Sequence, residues 1–538
     1  MKRIYRLLSA ALVILSLAAC EQQDAPSANA GSAPVVANDP DALTCISGSE
    51  LADIAPLLPR LEKETGVKLQ LVSSGTLASV ETLEANPAQY DCGWFSHNKY
   101  MMLSPKLKGL VKSSDRIMTS PVILGVKAAK AKELGWTSDG TTWADIAKAA
   151  REGRFTFAMT SPTSSNTGMS ALIGVTAALS GADSAITRDS IRNIELSGFG
   201  RGQTLFSDSS GWLTSAFAKS LNDPKGPDAM VNYESELIKV NAQSNARLTL
   251  IYPKEGIITA DYPLMLFDEA KRAKYDRVVA FFRSPDIQKW LMENTYRRPA
   301  VAAVSPDTAK FGNHLLVEVP FPASASVLDA LLTSYLDRQR LPAHDYFVLD
   351  TSGSMAENGG IQQLRSALLN LGGQDTSITG RYARFRQREK VTVIEFASGI
   401  KSETTYSMGP DGQTLTVALR RFSDYAQNLD AGGGTAIFDA TSRALDLAES
   451  NARLEPGFIQ NIVVMTDGQS NEGMTARDFA SAYRSRSDAA KRIRIFGVLF
   501  GNDASKDQIQ SLADMSGGAV FDGSQSLTGV FKKIRGYQ

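Results

Sequence analysis

The segment FVLDTSGSM, Phe347–Met355, passes from an apolar block directly into Asp350, Ser352 and Ser354, which stand at every second position. If the apolar block is a buried parallel strand, Asp350 lies at its carboxyl end, the edge where open α/β sheets place their ligands. In the extended or turning chain beyond, alternate residues point the same way. Asp350, Ser352 and Ser354 then converge, and Gly353 permits the bend. A carboxylate and two hydroxyls are hard oxygen donors, suited to magnesium or manganese and poorly suited to zinc or copper. A polar turn that caps the next helix accounts for the same spacing.

Working outward, FVLD, VTVIEF (391–396), NIVVMTDG (461–468) and RIRIFGVLFG (492–501) have the composition of buried strands. TAIFDATSRALDLAES (435–450) and SKDQIQSLADMSGG (505–518), between or after them, have helical periodicity. The alternation predicts a parallel sheet covered by helices on both faces. Two further stretches add oxygen donors. GGGTAIFDA (432–440) puts Thr435 after three glycines, and VVMTDG puts Asp467 at the end of another strand.

A strand followed by DxSxS, then a loop threonine, then a strand-end aspartate resembles the von Willebrand factor A domain and its metal-ion-dependent adhesion site, over about residues 345–538. The resemblance implies a doubly wound, Rossmann-like unit. It implies that Ser352, Ser354 and Thr435 bind Mg2+ or Mn2+ by their hydroxyls, while Asp350 and Asp467 act directly or through water. Two carboxylates only balance a divalent ion, so the metal keeps a position for a protein partner's acidic side chain. Hydrolysis wants a positioned base, and none of the three histidines (His97, His314, His344) lies in these motifs. Binding, not catalysis, is therefore expected. His344 reads as a linker or strand-edge residue, and the basic run RYARFRQREK (381–390) as a solvated loop.

At 538 residues the chain holds more than one core. Its 57 basic and 57 acidic residues leave no positive excess to draw nucleic acid. Residues 1–19 place Lys2, Arg3 and Arg6 before an apolar run too short to span a bilayer, which reads as a secretory signal. LAAC, Leu17–Cys20, resembles the bacterial lipobox, which implies lipidation of Cys20 and anchoring at the cell envelope, on the periplasmic face or the cell surface. Residues 20–41, rich in Ala, Ser, Pro and Asp, read as a tether. The two cysteines beyond it, Cys45 and Cys92, are either a disulfide, which export permits, or two buried thiols.

From Ala42 onward, short apolar runs alternate with helical patterns: LTCI, ELADIAPLLPRLEKETG, VKLQLV, YDCGWF. Gly66–Ser96, SPVILGVK (120–127), FTFAMTSPTSSNTGMSAL (155–172) and LTLIYPKEGIITADYPLMLF (248–267) resemble bacterial extracellular solute-binding proteins, especially the molybdate-binding type. The resemblance implies a two-lobed, type II periplasmic-binding-protein-like domain over residues 42–336. The chain would cross between lobes near Val126 and return near Tyr252, with a linker at 337–344 before the second unit. In this fold class the first and third strands are neighbours, which makes a Cys45–Cys92 bridge plausible.

Candidate ligand contacts stand where hydroxyls and glycines meet helix starts: Ser47 and Ser49, Ser74 and Gly75, Ser96, and Ser164, Ser165 and Asn166. Helix amino termini offer free N–H groups, so a small neutral solute or an oxyanion is the expected guest. Plain helix capping accounts for each of these segments as well. Tyr233 and Tyr252 line the cleft or fill the core. Two roles follow. The first is a lipid-anchored exported protein that binds a protein partner through its metal site and carries a solute-binding module; the second is solute capture for a transporter, with the metal unit as the docking module.

Overall fold

The computed structural model describes residues 39 and 41–537, apart from 182–183, 195–196, 245–246, 500–505 and 524–525. The expected signal peptide, Cys20 and nearly all of the tether lie outside the described residues.

The first lobe opens with β1 (Ala42–Ser47), β2 (Lys68–Ser73), β3 (Cys92–Trp94) and β4 (Ser113–Arg116). The chain then crosses at Ile117 into a second lobe built on β5 (Met118–Lys127), β6 (Phe157–Thr160), β7 (Gln203–Ser207), β8 (Ala229–Tyr233), β9 (Leu248–Ile251) and β10 (Thr259–Ala260). It returns through Asp261 and Tyr262 to β11 (Pro263–Leu266), and crosses a third time near Tyr296 to β12 (Arg298–Pro299). The lobes carry sheets of order β2-β1-β3-β11-β4 and β10-β5-β8-β6-β7, with β9 and β12 also paired to β5. The expected crossings near Val126 and Tyr252 are thus displaced. Val126 is near the end of a long strand that lies wholly in the second lobe, and the crossings use Ile117, Tyr262 and Tyr296 instead. Tyr262 and Tyr296 hold positive φ (40° and 55°), a backbone state that costs a bulky residue energy and that tertiary packing must sustain.

β1 and β3 run parallel with Cys45 opposite Cys92, and the two form a disulfide across a Cα separation of 4.4 Å. The adjacency expected of the first and third strands is realised, and the alternative of two free thiols is excluded.

The C-terminal unit is one sheet of order β15-β14-β13-β16-β17-β18, built from β13 (Ala343–Asp350), β14 (Lys390–Phe396), β15 (Ile400–Ser407), β16 (Ile459–Thr466), β17 (Arg494–Leu499) and β18 (Val520–Asp522). Only β15 is antiparallel. Alternate residues of β13 feed two cores. Phe347 and Leu349 pack on one face; Tyr346 and Val348 pack on the other.

Residues 337–344, expected as a linker, are not one. They comprise the end of a helical turn, Tyr335–Gln339, and the start of β13, and ion pairs Arg386–Asp337 and Arg340–Glu389 tie them down. His344 is accordingly a buried residue of the central strand. Nor is the basic run a solvated loop: Arg386 is 3% exposed and forks onto Asp337 at 2.7 and 2.8 Å.

The C-terminal unit docks on both lobes. On the first, Glu81 accepts hydrogen bonds from Thr379 N and Oγ1 at 2.7 and 2.8 Å, and Lys532 approaches the same carboxylate. On the second, Arg494 donates to Phe206 O and lies over the Trp212 ring, while Tyr537 meets that ring edge-on at 4.7 Å. Asp208 hydrogen-bonds Tyr537. Among the described residues no helix is long and apolar enough to cross a membrane.

Candidate functional site

The carboxyl edge of the C-terminal sheet gathers the residues of the opening segment. Asp350 ends β13 fully buried, and its Oδ1 accepts from Ser352 N at 2.8 Å. Ser352 Oγ and Ser354 Oγ are 3.1 Å apart, and Ser354 Oγ donates to Asp467 Oδ1 at 2.8 Å, just past the end of β16. Four of the five predicted positions therefore form one continuous chain of contacts. The loop of the fifth, Thr435, is fastened to them through its backbone: Gly353 N donates to Gly433 O and Gly432 N to Thr351 O. Gly433 has φ +94° there, a conformation that glycine supplies without strain. Thr435 N in turn donates to Asn471 Oδ1 at 2.7 Å.

Burial raises the Asp350 carboxyl above its ordinary range, hydrogen bonds from Ser352 and Thr466 oppose the rise, and the charge of Asp467 adds to it. Asp467 is raised too, by burial first and against its bond from Ser354. Two crowded carboxylates next to three hydroxyls constitute a hard-oxygen donor set with negative charge to spare, and Ser354 is exposed, so the set is open to solvent. Sequence reasoning missed Thr466, whose Oγ1 donates to Asp350 Oδ2 at 2.6 Å. The signal was present, since Thr466 immediately precedes Asp467.

The second constellation lies between the lobes of the N-terminal unit. Thr76 N donates to Ser164 O, and a Cβ on Gly75 would stand 3.1 Å from that same oxygen, so the loops after β2 and β6 touch and the cleft is closed there. Gly536 of the C-terminal unit sits against the same loop, where a Cβ on it would stand 3.3 Å from Ser164 Oγ. Deeper in, Asn166 Nδ2 donates to Tyr233 OH at 3.3 Å, and Tyr233 also hydrogen-bonds Ser96. Asn166, Tyr233 and Ser96 thus meet as expected, with Ser47 buried at the end of β1 and joined to Ser74 through its backbone. Ser165 precedes the helix Asn166–Ser180 and its Oγ contacts Thr167 instead of capping the helix. Ser49 is exposed. Tyr252 is committed elsewhere: its OH donates to Glu234, which Arg298 grips with two bonds, and its ring stacks on His314 at 4.0 Å.

Sequence reasoning also missed Glu50, His97, Glu236, Tyr262 and Arg297. Tyr262 lies 6.1 Å from Tyr233, ring to ring, and Arg297 stacks over Tyr262 while pairing with Asp53 at 2.6 Å. Tyr262 and Arg297 sit at the true crossings, with Glu50 and the Ser96–His97 loop bonded to them, and the displaced hinge assignment hid them. Lys99 stands in the loop that carries Ser96 and His97 and pairs with Glu318, and Arg297 reaches in from the third crossing.

Residues 43–297 match the family model of bacterial extracellular solute-binding proteins, and residues 346–534 match that of the von Willebrand factor type A domain. The chain joins a solute-binding domain to a von Willebrand factor type A domain. Among solved structures, it is similar to the ferric binding protein from Campylobacter jejuni (15% identity, 54% of this chain and 95% of that one, TM-score 0.39). It is similar also to the periplasmic binding protein AfuA from Actinobacillus pleuropneumoniae (14%, 55% and 98%, 0.38) and to a periplasmic thiamin binding protein (12%, 55% and 95%, 0.41). No curated protein matches the chain. The expected architecture, a type II binding-protein-like domain followed by a Rossmann-like von Willebrand factor A domain, is the one found.

Proposed function

We propose that this chain is an exported, lipid-anchored solute receptor that engages a protein partner through a divalent cation. Asp350, Ser352, Ser354, Thr435 and Asp467 would hold Mg2+ or Mn2+, and the donor set fits: all ligands are hard oxygens, and both carboxylates gain from a nearby positive charge. The ion would supply a coordination position for an acidic side chain of the partner. The chain's own residues orient it, Thr466 and Ser352 fixing Asp350 and the glycine loop presenting Thr435.

The observation that carries this reading is the separation of the two edges of the sheet. Docking to the solute-binding domain uses Arg494, at the start of β17, and residues 379–386 and 532–537, whereas the oxygen cluster lies where β13 and β16 end. The cluster is therefore free to meet another molecule while the two domains stay joined. Binding is favoured over catalysis, because His344 occupies the opposite end of β13 and His97 and His314 belong to the other domain.

Capture of partners from envelope extract by the full chain tests the reading. Retention with magnesium, loss with chelator and loss in Asp350→Ala are expected. Retention that ignores all three would refute the metal-dependent contact. Solute capture for a transporter is the second reading, favoured by the match over residues 43–297, and a small molecule retained in native mass spectrometry supports it.

A further inference from the structure

We propose that the interlobe cleft receives a small organic cation, an ammonium-bearing solute seated between Glu50 of the first lobe and Glu236 of the second. This rests on the solute-receptor reading and deepens it by fixing the sign and chemistry of the guest.

Glu236 lies in the first turn of the helix Glu234–Gln243 and is 7% exposed; Glu50 lies in the short turn Ser49–Leu57. Glu236 follows Tyr233 by three positions, and the Glu50 backbone oxygen accepts from Arg297 at 3.0 Å, beside Tyr262. Among the described residues neither enters an ion pair, and neither carboxylate is bonded by another side chain. Arg297 binds Asp53 Oδ2 and the Glu50 backbone oxygen, and its charge partly offsets the burial of the Glu50 carboxylate. Glu50 and Asp53 thus share a single arginine. Arg298 is engaged by Glu234, and Lys99, whose charge reaches His97, pairs with Glu318. Burial keeps His97 neutral, so it adds no positive charge. Carboxylates outnumber cations among these groups, and burial raises Glu50 even against the charge of Arg297, so a further cation there is favoured.

The remaining groups suit a guest that donates hydrogen bonds. Asn166 Oδ1, Tyr262 OH and both ring nitrogens of His97 are buried without a hydrogen-bond partner. An ammonium head offers donors to the carbonyl and phenol oxygens and to the imidazole's acceptor nitrogen. The Tyr233 and Tyr262 rings, 6.1 Å apart at 54°, add negative faces that attract a cation. A metal ion fits less well: burial raises both phenols and keeps them protonated, and among the described residues no three His, Cys, Asp or Glu side chains are grouped to hold one. An oxyanion at the start of the helix Asn166–Ser180, the expectation from sequence, would meet the Glu50 carboxylate, whose charge acts on the neighbouring Tyr233 and Tyr262.

The test is thermal-shift and calorimetric titration of the full chain, in saturating magnesium, with choline, putrescine and spermidine chlorides against sodium molybdate, sodium sulfate and glucose. At least one ammonium probe should raise the melting temperature, and Glu236→Gln and Glu50→Gln should each weaken it about tenfold or more, equivalent to about 1.4 kcal/mol. Both variants are near-isosteric, and without solute each should melt at or above the parent temperature. Binding of molybdate, sulfate or glucose with no ammonium response would leave a solute receptor and overturn the cation. An ammonium response unchanged in both variants would place it outside this cleft and overturn the proposal. Silence from all six probes would overturn the proposal and count against the receptor reading as well.

Discussion

Acid should loosen the solute-binding domain through one imidazole. His97 is 3% exposed, packs edge-on against Phe321 and has no partner at either ring nitrogen. Burial, helped by the charge of Lys99, lowers its pKa to about 3. An unfolded histidine takes its proton near pH 6.5. Between those two values the unfolded chain holds more protons than the folded one, so stability is complete above about pH 6.5 and is lost as the pH falls towards 3. From about pH 7 to about pH 5 the loss through this single group is about 2 kcal/mol. Urea unfolding followed by tryptophan fluorescence reads it directly, because all five tryptophans (Trp94, Trp136, Trp143, Trp212, Trp290) precede the C-terminal domain. His97→Gln should flatten the dependence by that amount, while the other two histidines act equally in both proteins. An identical loss in parent and variant would refute the argument that burial holds His97 neutral.

Replacing both Cys45 and Cys92 by alanine opens a loop with a sequence separation of 47 and should cost about 4 kcal/mol by chain entropy alone; a urea-measured loss under about 1 kcal/mol would contradict that account. Tyr537→Ala removes the ring that covers Trp212 and should raise quenching of tryptophan emission by acrylamide, and unaltered quenching would mean that this docking contact does not persist in solution. Cys20→Ser should move the protein from the membrane fraction to the soluble one; continued sedimentation with membranes would rule out the lipid anchor.

The C-terminal domain was legible because its decisive features are local. A strand's buried run, its terminal aspartate and the DxSxS alternation all fall within nine residues. The antiparallel β15 escaped notice because IKSETTYS is an exposed edge with little apolar signal. The cleft was legible only in part. Ser96, Asn166 and Tyr233 announce themselves at strand ends and helix starts, but Glu50, Glu236, Tyr262 and Arg297 come together only when the chain crosses between lobes. Nothing in the local pattern distinguishes Tyr262, at positive φ on a crossing, from an ordinary core tyrosine. The supposed linker was misread for a related reason: Asp337, Arg340 and Arg386 look solvated until their partners from distant segments are known.

The C-terminal domain grips Glu81 on one jaw and Phe206, Asp208 and Trp212 on the other, like a splint laid over a joint. A jaw cannot swing on Tyr262 and Tyr296 until one end of that splint lets go. A guest held in the cleft as proposed would leave only after the Thr379 or the Tyr537 contact opens, at a point remote from the guest itself.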